Sequence, residues 1–161
     1  MFLELESVFN TPGLILPFRY HLTGFEGMLP LAAPPAVSGE ARNRAGIVTL
    51  AGRAEVRMDA QCDRCAAPFE YAANVPFEHT LVMSLNNKDS DELTLLESYR
   101  WSPDGLVWED IVLALPPKLL CRPDCKGLCP RCGQNLNEGE CPCKPEGDPR
   151  WAALRDLTSD N

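Results

Sequence analysis

Eight cysteines carry most of the chemistry that this chain of 161 residues could perform. They fall into four close pairs, which are Cys62 and Cys65, Cys121 and Cys125, Cys129 and Cys132, and Cys141 and Cys143. Pairs at such short spacing are typical of a chain that wraps a tetrahedral metal ion. Four thiolates around one zinc leave no open position, so the site is structural rather than catalytic. We therefore predict that all eight cysteines are metal ligands and that they hold two zinc ions.

The last four cysteines form the clearest site. Cys129-Pro130-Arg131-Cys132-Gly133 has the pattern of a zinc knuckle, in which a turn aims two sulfurs at one point. The glycine falls where the backbone tends to need a positive φ. The loop that follows is long enough to fold back, so Cys141 and Cys143 can complete four ligands. An iron–sulfur cluster also accepts four cysteines and is the alternative to zinc.

The other four cysteines are interpreted as a second site. Cys62 and Cys65 would join Cys121 and Cys125 and clamp the C-terminal segment to the rest of the protein. Two alternatives stay open: one or both pairs are free thiols, or Cys125 exchanges with a member of the knuckle. A redox role for Cys62 and Cys65 would need a βαβ setting, whereas the surrounding pattern is that of a hairpin.

Other polar residues give no pattern of catalysis. His21 is interpreted as a strand-edge residue, and His79 as a core histidine with a satisfied side chain. Asp89, Asp91 and Glu92 form an acidic cluster that could support acid–base chemistry but is more typical of a solvated loop. No base lies near a cysteine in the pattern, so we expect a protein that is not an enzyme and has no small-molecule substrate.

The charge balance limits the possible partners. Fifteen basic and 23 acidic residues give a formal net charge of −8. A zinc with four thiolates carries −2, so two such sites would bring the total to about −12. Such a protein is a poor non-specific binder of nucleic acid, because phosphate neutralisation supplies most of that affinity. The stretch 118–131, which contains Lys118, Arg122, Lys126 and Arg131, is locally basic and gives a weak indication of RNA contact.

The N-terminal two thirds of the sequence predict strands. Residues 2–9 and 14–22 are expected to be strands, and the second has period-two apolar positions. Residues 30–45 are rich in Pro, Ala and Gly and predict a loop or linker. The clearest alternation runs over 48–58 and 69–85, with Cys62 and Cys65 between, so the first cysteine pair is placed at the tip of a β-hairpin. Residues 93–96 predict a short strand.

Two helices are expected. Residues 104–115 are apolar nearly all round, which predicts a buried helix that ends before Pro116-Pro117. After a linker at 144–147, Asp148 and Pro149 are a helix start signal. The apolar stripe of this final helix is formed by Trp151, Leu154 and Leu157. It is expected to dock on the sheet, and the alternative is that it contacts a partner.

The expected fold class is therefore α+β. It consists of an antiparallel β-rich sheet or partial barrel with one buried helix, a C-terminal zinc-knuckle module and a short final helix. We divide the chain into a β-rich domain over 1–117 and a zinc-binding C-terminal module over 118–161. The N-terminus has no basic and apolar signal pattern, and the longest apolar run is far shorter than the roughly 20 residues of a membrane span. A cytoplasmic protein without membrane contact is expected, and there paired cysteines indicate metal rather than disulfides.

Several of these stretches together resemble the YceD family of bacterial and plastid proteins. They are Cys62 to Phe69, Glu109 to Pro116, Cys125 to Asn137, and Asp-Pro-Arg-x-x-x-Leu from Asp148. The resemblance covers about residues 45–157. Some family members resemble this chain at 62, 65, 121 and 125 but lack the later knuckle. This supports one site made of those four cysteines and another made of 129, 132, 141 and 143.

The resemblance implies a role in accumulation of the 23S ribosomal RNA of the large subunit. The genes of family members often lie beside that of a small zinc-bearing ribosomal protein. The resemblance thus implies a non-enzymatic factor of large-subunit biogenesis that binds a ribosomal protein or large-subunit pre-rRNA, and the acidic charge favours the basic protein. The alternatives are a general zinc-stabilised protein-interaction module without a ribosomal role, and a thiol redox or metal-handling protein.

Overall fold

A computed structural model of the chain describes residues 1–84 and 93–143. In chain order the elements are β1 (Leu3–Glu4), α1 (Glu6–Asn10), β2 (Ile15–His21), β3 (Ala36–Arg44), β4 (Ile47–Gln61), β5 (Pro68–Val82), β6 (Leu93–Leu95), β7 (Arg100–Trp101) and α2 (Asp104–Ala114). Five strands form one sheet in the order β2-β3-β4-β5-β6. Only the β5–β6 pair in this sheet is parallel, and β1 pairs with β7 apart from it. The sheet curls into a half-barrel, which confirms the predicted α+β class.

The core lies on one face of the sheet. Along β4 the even positions other than Gly52 are buried and most odd positions are exposed, as the alternation predicts. Phe18 on β2 and Leu22 just after it are buried, and the other apolar residues of the predicted face pack against the same core. Helix α2 covers this face through Val107, Trp108 and Ile111. The two long strands and the apolar face of β2 were therefore predicted correctly.

Helix α2 is buried on one side only, which corrects the expectation of a helix buried all round. Leu113 is 83% exposed and Val112 is 44% exposed. The sequence is apolar on both sides, but the sheet offers a single surface for the helix to cover. The helix ends at Ala114, just before the two prolines, as predicted.

Two other predictions were wrong. The predicted strand at 2–9 contains helix α1, and buried Leu5, directly before the helix, lies three residues from buried Val8 within it, as helical packing requires. The predicted loop at 30–45 contains β3, which lies inside the sheet and pairs along its length with β4. Its core face carries small or polar side chains, among them Gly39, Ala41 and the buried Asn43, so no apolar alternation marks it.

A pair of glycines lies at the centre of the sheet. Gly39 and Gly52 are partners across β3 and β4, with Phe18 opposite the first and Phe77 opposite the second. A Cβ at Gly39 would lie 2.8 Å from the Phe18 ring, and one at Gly52 would lie 2.7 Å from the Phe77 ring. The two rings therefore occupy the space that side chains would fill at the glycines.

The longest hairpin carries the first cysteine pair away from the rest of the sheet. β3 pairs with β4 only as far as Glu55, and Leu31 forms an isolated bridge with Met58 beyond it. The β4–β5 pairing continues alone to Gln61 and Pro68. The turn with Cys62 and Cys65 follows directly, at the tip of this two-stranded extension. This confirms the predicted location of the pair.

Several predictions fall outside the described residues. They concern the acidic cluster at Asp89, Asp91 and Glu92, the linker at 144–147 and the final helix with Asp148, Pro149, Trp151, Leu154 and Leu157. The division of the chain at 117 and 118 also stays a prediction. The short strand expected at 93–96 is present as β6.

Candidate metal centre

The eight cysteines form two groups of four. The hairpin tetrad consists of Cys62, Cys65, Cys121 and Cys125, and the knuckle tetrad consists of Cys129, Cys132, Cys141 and Cys143. Within each tetrad the Sγ atoms all lie within 4.8 Å of one another. These are the two groups that the sequence analysis proposed. Their role as metal ligands stays a prediction.

The sulfur spacing of the hairpin tetrad fits one tetrahedral ion. The Sγ atoms of Cys62 and Cys125 are 3.8 Å apart, and those of Cys65 and Cys121 are 3.7 Å apart. Zinc–sulfur bonds of about 2.3 Å place two sulfurs about 3.8 Å apart on the edge of a tetrahedron. A disulfide would need a separation of about 2.05 Å. The residues present therefore fit a single zinc-sized ion.

A tight turn brings Cys62 and Cys65 together. The backbone N–H of Cys62 donates to the carbonyl of Ala67 at 2.9 Å, and the N–H of Ala66 donates to the carbonyl of Cys62 at 2.8 Å. Ala66 has a φ of 56°, which reverses the chain after the second cysteine. Partly buried apolar side chains, Ala67, Phe69 and Leu120, shelter the sulfurs. Such a shell lowers the local dielectric and limits solvent access to a bound ion.

Hydrogen bonds dock the segment after α2 onto this turn. The N–H of Asp63 donates to the carbonyl of Leu119 at 2.8 Å, and the N–H of Leu119 donates to Oδ2 of Asp63 at 2.6 Å. Further along, the N–H of Leu128 donates to the carbonyl of Arg64 at 3.0 Å. The guanidinium of Arg64 donates to the carbonyl of Cys125 at 2.9 Å. The hairpin tip and residues 119–128 thus form one unit.

Gly127 permits this close approach. It has a φ of 78°, and a Cβ there would lie 3.0 Å from the carbonyl oxygen of Arg64. A larger residue would be strained in its backbone and would push the segment off the hairpin. The positive φ and the close contact with Arg64 therefore explain why a glycine occupies position 127.

The knuckle tetrad is built by its own turn. The N–H of Gly133 donates to the carbonyl of Cys129 at 2.9 Å, and Gly133 has a φ of 74°. The positive φ predicted at this glycine is confirmed. Cys129 is buried, whereas Cys132 is exposed. The knuckle tetrad is thus more accessible to solvent than the hairpin tetrad.

The thiols of each tetrad differ in acidity. In the hairpin tetrad, the backbone N–H of Cys121 is the main cause that lowers the pKa of Cys62 to about 6. Burial and the neighbouring thiols raise the pKa of Cys121 to about 12. In the knuckle tetrad, the backbone N–H groups of Cys132 and Arg131 lower the pKa of Cys129 to about 6. Because a metal binds thiolates, its binding displaces the protons that remain.

Neither histidine belongs to the tetrads, which consist of cysteine alone among the described residues. His79 is half-buried, and its Nε2 atom lies 2.7 Å from Oδ2 of Asp110, so strand β5 is linked to helix α2. This agrees with the interpretation as a satisfied histidine. His21 is exposed at the end of β2.

Sequence reasoning missed one polar residue of the centre. Nδ2 of Asn137 donates to Sγ of Cys125 at 3.3 Å. Asn137 lies in the loop of the knuckle tetrad, so this bond connects the two tetrads. Its sequence signal is its place at the end of the stretch Cys125 to Asn137 that resembles the family, and that place does not reveal its role, because asparagine is common in loops of this composition.

Part of the basic stretch is occupied within the centre. Arg122 donates to Oδ1 of Asn137 at 2.7 Å and forms an ion pair of 3.6 Å with Asp124. Arg64 also donates to the carbonyl of Cys125, so two guanidinium groups form hydrogen bonds within the metal centre. These contacts weaken the indication that the stretch 118–131 contacts RNA.

The fold and the sulfur geometry define a class: a small β half-barrel whose longest hairpin is joined to a six-cysteine segment at residues 121–143, with two candidate metal centres. The family comparison agrees with that class. The chain belongs to the YceD family, described as "Large ribosomal RNA subunit accumulation protein YceD", whose model matches residues 50–158. The match covers more than half of the chain and includes both tetrads, which confirms the resemblance found in the sequence.

The chain is also similar to two curated mycobacterial proteins. These are the uncharacterized protein Rv2926c of Mycobacterium tuberculosis and the uncharacterized protein Mb2951c of Mycobacterium bovis, each 29% identical over 101 residues. The matches cover 60% of this chain and 49% of each relative, so the chain spans about half the length of the curated relatives it matches. No solved structure matches the chain. No helix among the described residues is long and apolar enough to cross a membrane.

Proposed function

We propose that this protein is a non-enzymatic, zinc-binding factor of large ribosomal subunit biogenesis that supports accumulation of 23S rRNA. The observation that carries the proposal is the family match over residues 50–158, which includes all eight cysteines. The proposed mode of action is binding of a basic ribosomal protein in the cytoplasm. The two metal centres would hold the binding surface together.

The sulfur geometry supports zinc in each tetrad. Separations of 3.7 and 3.8 Å in the hairpin tetrad match the tetrahedral edge of one ion. An iron–sulfur cluster distributes its thiolates over several iron atoms, so its sulfur ligands would lie farther apart than one tetrahedral edge. Sulfur atoms that all lie within 4.8 Å therefore favour one ion per tetrad.

Charge supports a protein partner over RNA. The formal charge is −8, and zinc with four thiolates adds negative charge at each tetrad. Arg122 in the basic stretch 118–131 and Arg64 in the hairpin turn already donate to groups of the centre. An acidic surface attracts a basic ribosomal protein and repels phosphate. Large-subunit pre-rRNA is the other possible outcome of the test.

The absence of enzymatic activity is part of the proposal. Zinc with four thiolates has no coordination position left for a substrate or an activated water. Among the described residues, His79 is engaged with Asp110. The proposed chemistry of the site is therefore structural.

The test is deletion of the gene and measurement of 23S relative to 16S rRNA. A fall in the ratio, restored by the wild-type gene but not by a Cys65→Ser/Cys121→Ser variant, is the expected result. An unchanged ratio would overturn the ribosomal role and favour a general interaction module. Affinity purification of the protein after crosslinking then identifies the partner: a ribosomal protein supports the proposal, and pre-rRNA without protein contradicts the proposed partner.

A further inference from the structure

Asn137 uses the full hydrogen-bonding capacity of its side chain between the two tetrads. Its Nδ2 donates to Sγ of Cys125 at 3.3 Å and to Oδ1 of Asn135 at 2.8 Å. Its Oδ1 accepts the backbone N–H of Lys126 at 2.8 Å and a guanidinium N–H of Arg122 at 2.7 Å. An amide side chain has two donor hydrogens and two acceptor lone pairs, and all four are occupied here.

The chain position of Asn137 gives these bonds their significance. It lies in the loop between Cys132 and Cys141, which a metal in the knuckle tetrad would close. Its side chain, however, contacts the hairpin tetrad. We propose that Asn137 is a positioning residue that couples the two metal centres, so that zinc in the knuckle tetrad strengthens zinc binding by the hairpin tetrad. This inference rests on the proposed zinc binding.

The physical basis is a hydrogen bond to a thiolate. A donor that faces a ligating sulfur stabilises its negative charge and fixes its orientation. That donor is effective only while its loop is held in place. The loop is exposed at residues 138–140, and its other bonds to the hairpin segment include the N–H of Leu136 to the carbonyl of Gly127 at 2.9 Å. Loss of the knuckle metal would release the loop and withdraw the donor from Cys125.

The coupling acts in both directions. If zinc in the knuckle tetrad raises the affinity of the hairpin tetrad, linkage requires that zinc in the hairpin tetrad raises the affinity of the knuckle tetrad by the same factor. The contacts allow an effect in this direction, because Arg122 and Lys126 lie in the segment 119–128, which is docked on the hairpin tip, and both donate hydrogen bonds to Oδ1 of Asn137. Two zinc ions are therefore expected to bind cooperatively.

The experiment is a cycle of variants with zinc affinity as the readout. Zinc binding to the hairpin tetrad is measured by competition with a chromophoric chelator, with the knuckle tetrad intact or disabled by Cys132→Ser/Cys143→Ser. Disabling the knuckle should weaken hairpin zinc about 10- to 100-fold in the otherwise wild-type protein, the range found for partners of metal ligands. With Asn137→Ala the affinity should already be low, and disabling the knuckle should change it little.

Two further variants separate the hydrogen bond from general loop disturbance. Asn137→Asp keeps the acceptor for Lys126 and Arg122 but replaces the donor to Cys125 with a negative charge, so it should weaken hairpin zinc at least as much as alanine. Gln134→Ala, an exposed position in the same loop, should leave the affinity unchanged. In the cobalt-substituted protein, loss of the N–H···S bond should move the sulfur-to-cobalt charge-transfer band to longer wavelength.

The outcomes distinguish the coupling from the metal sites themselves. Two zinc ions that bind with affinities independent of each other would overturn the coupling and leave the zinc proposal intact. Disabling the knuckle could instead lower the zinc affinity of the hairpin tetrad in the Asn137→Ala and Asn137→Asp proteins as much as it does in the otherwise wild-type protein. That result would show that another contact carries the coupling. A wild-type protein that binds no zinc would overturn the metal proposal itself. Circular dichroism of the sheet checks that each variant is folded.

Discussion

The Sγ atom of Cys65 lies 3.7 Å from the Sγ atom of Cys121, although the two cysteines are 56 positions apart in the chain. Strands β5, β6 and β7 and helix α2 lie between them in sequence. A metal bound here closes a long loop and joins the tip of the hairpin to the segment after α2. Closure of a long loop lowers the entropy of the unfolded chain, as it does for a disulfide.

Metal removal should therefore unfold the six-cysteine segment at residues 121–143 and leave the sheet folded. Structural zinc contributes about 10–16 kcal/mol of apparent binding free energy in small peptides, whereas the β4–β5 ladder has an apolar core of its own. After chelation we expect rapid amide exchange at Leu119 and Leu128, whose N–H groups donate to the hairpin turn. Protection at Leu50 and Val56 in β4 should persist. Hydrogen exchange with and without a zinc chelator measures both.

The result that contradicts this prediction is equally clear. If Leu119 and Leu128 keep their protection without metal, direct hydrogen bonds suffice to hold the segment. If the β4 amides lose protection together with them, sheet and segment form one cooperative unit. Elemental analysis before chelation should give two zinc ions per chain.

The fold was predicted where burial follows a simple period and missed where it does not. β4 alternates apolar and polar residues over its length, so its position and exposed face follow from the sequence. β3 has Gly39 and Asn43 on its core face, where the Phe18 ring fills the space above Gly39 and the Nδ2 of Asn43 donates to the Val8 and Phe9 carbonyls of helix α1. Such tertiary compensation cannot be seen in a single stretch of sequence.

The turn between β3 and β4 offers a stabilising change. Ala45 and Gly46 have φ values of 53° and 91°, and they connect the paired residues Arg44 and Ile47. A two-residue turn with both φ values positive favours asparagine at its first position, where alanine is strained. Ala45→Asn should raise the free energy of unfolding by about 0.5–1 kcal/mol. Chemical denaturation measures the change.

A matched control for this change lies on a strand. Ala72 is exposed on β5, where asparagine has poor β-propensity. Ala72→Asn should leave the stability unchanged or lower it. Stabilisation by both substitutions would show that the effect comes from the asparagine side chain in general and that the turn geometry is not its cause.

The glycine pair in the sheet should be intolerant of a methyl group. A Cβ at Gly39 would clash with the carbonyl of Ala51 and lie 2.8 Å from the Phe18 ring. Gly39→Ala should lower the free energy of unfolding by about 3 kcal/mol, the range of severe overpacking. Thermal or chemical denaturation of the metal-loaded protein measures this.

Gly105 is the control, because a Cβ there would meet nothing within 4 Å. It lies near the start of helix α2, where alanine is favoured by up to about 1 kcal/mol. Gly105→Ala should therefore be neutral or stabilising. If Gly39→Ala were equally well tolerated, the sheet would be able to adjust at the Phe18–Gly39 contact. The tight packing proposed for the glycine pair and its two phenylalanine rings would then be wrong.

The candidate site divides in the same way as the fold. The paired cysteines can be recognised by their short spacing in the sequence. Their grouping into two tetrads was predicted from the position of Cys62 and Cys65 at a hairpin tip and from the family resemblance. Asn137 ends a stretch that resembles the family, but its role could not be found, because that role depends on two loops that meet only in the folded protein. Spacing reveals ligands that are close in sequence, whereas partners that orient those ligands are positioned by tertiary contacts.

The accessibility of the tetrads predicts an order of thiol reactivity. Cys132 is exposed, whereas Cys62 and Cys125 are each only 2% exposed. Alkylation of the metal-loaded protein should therefore modify Cys132 first, about tenfold faster than the hairpin cysteines, which is a difference of about 1.4 kcal/mol in activation free energy. After chelation all eight thiols should react rapidly, and peptide mass spectrometry assigns each site. Cys62 and Cys65 that react as fast as Cys132 while metal is bound would instead favour a thiol redox function for the hairpin pair.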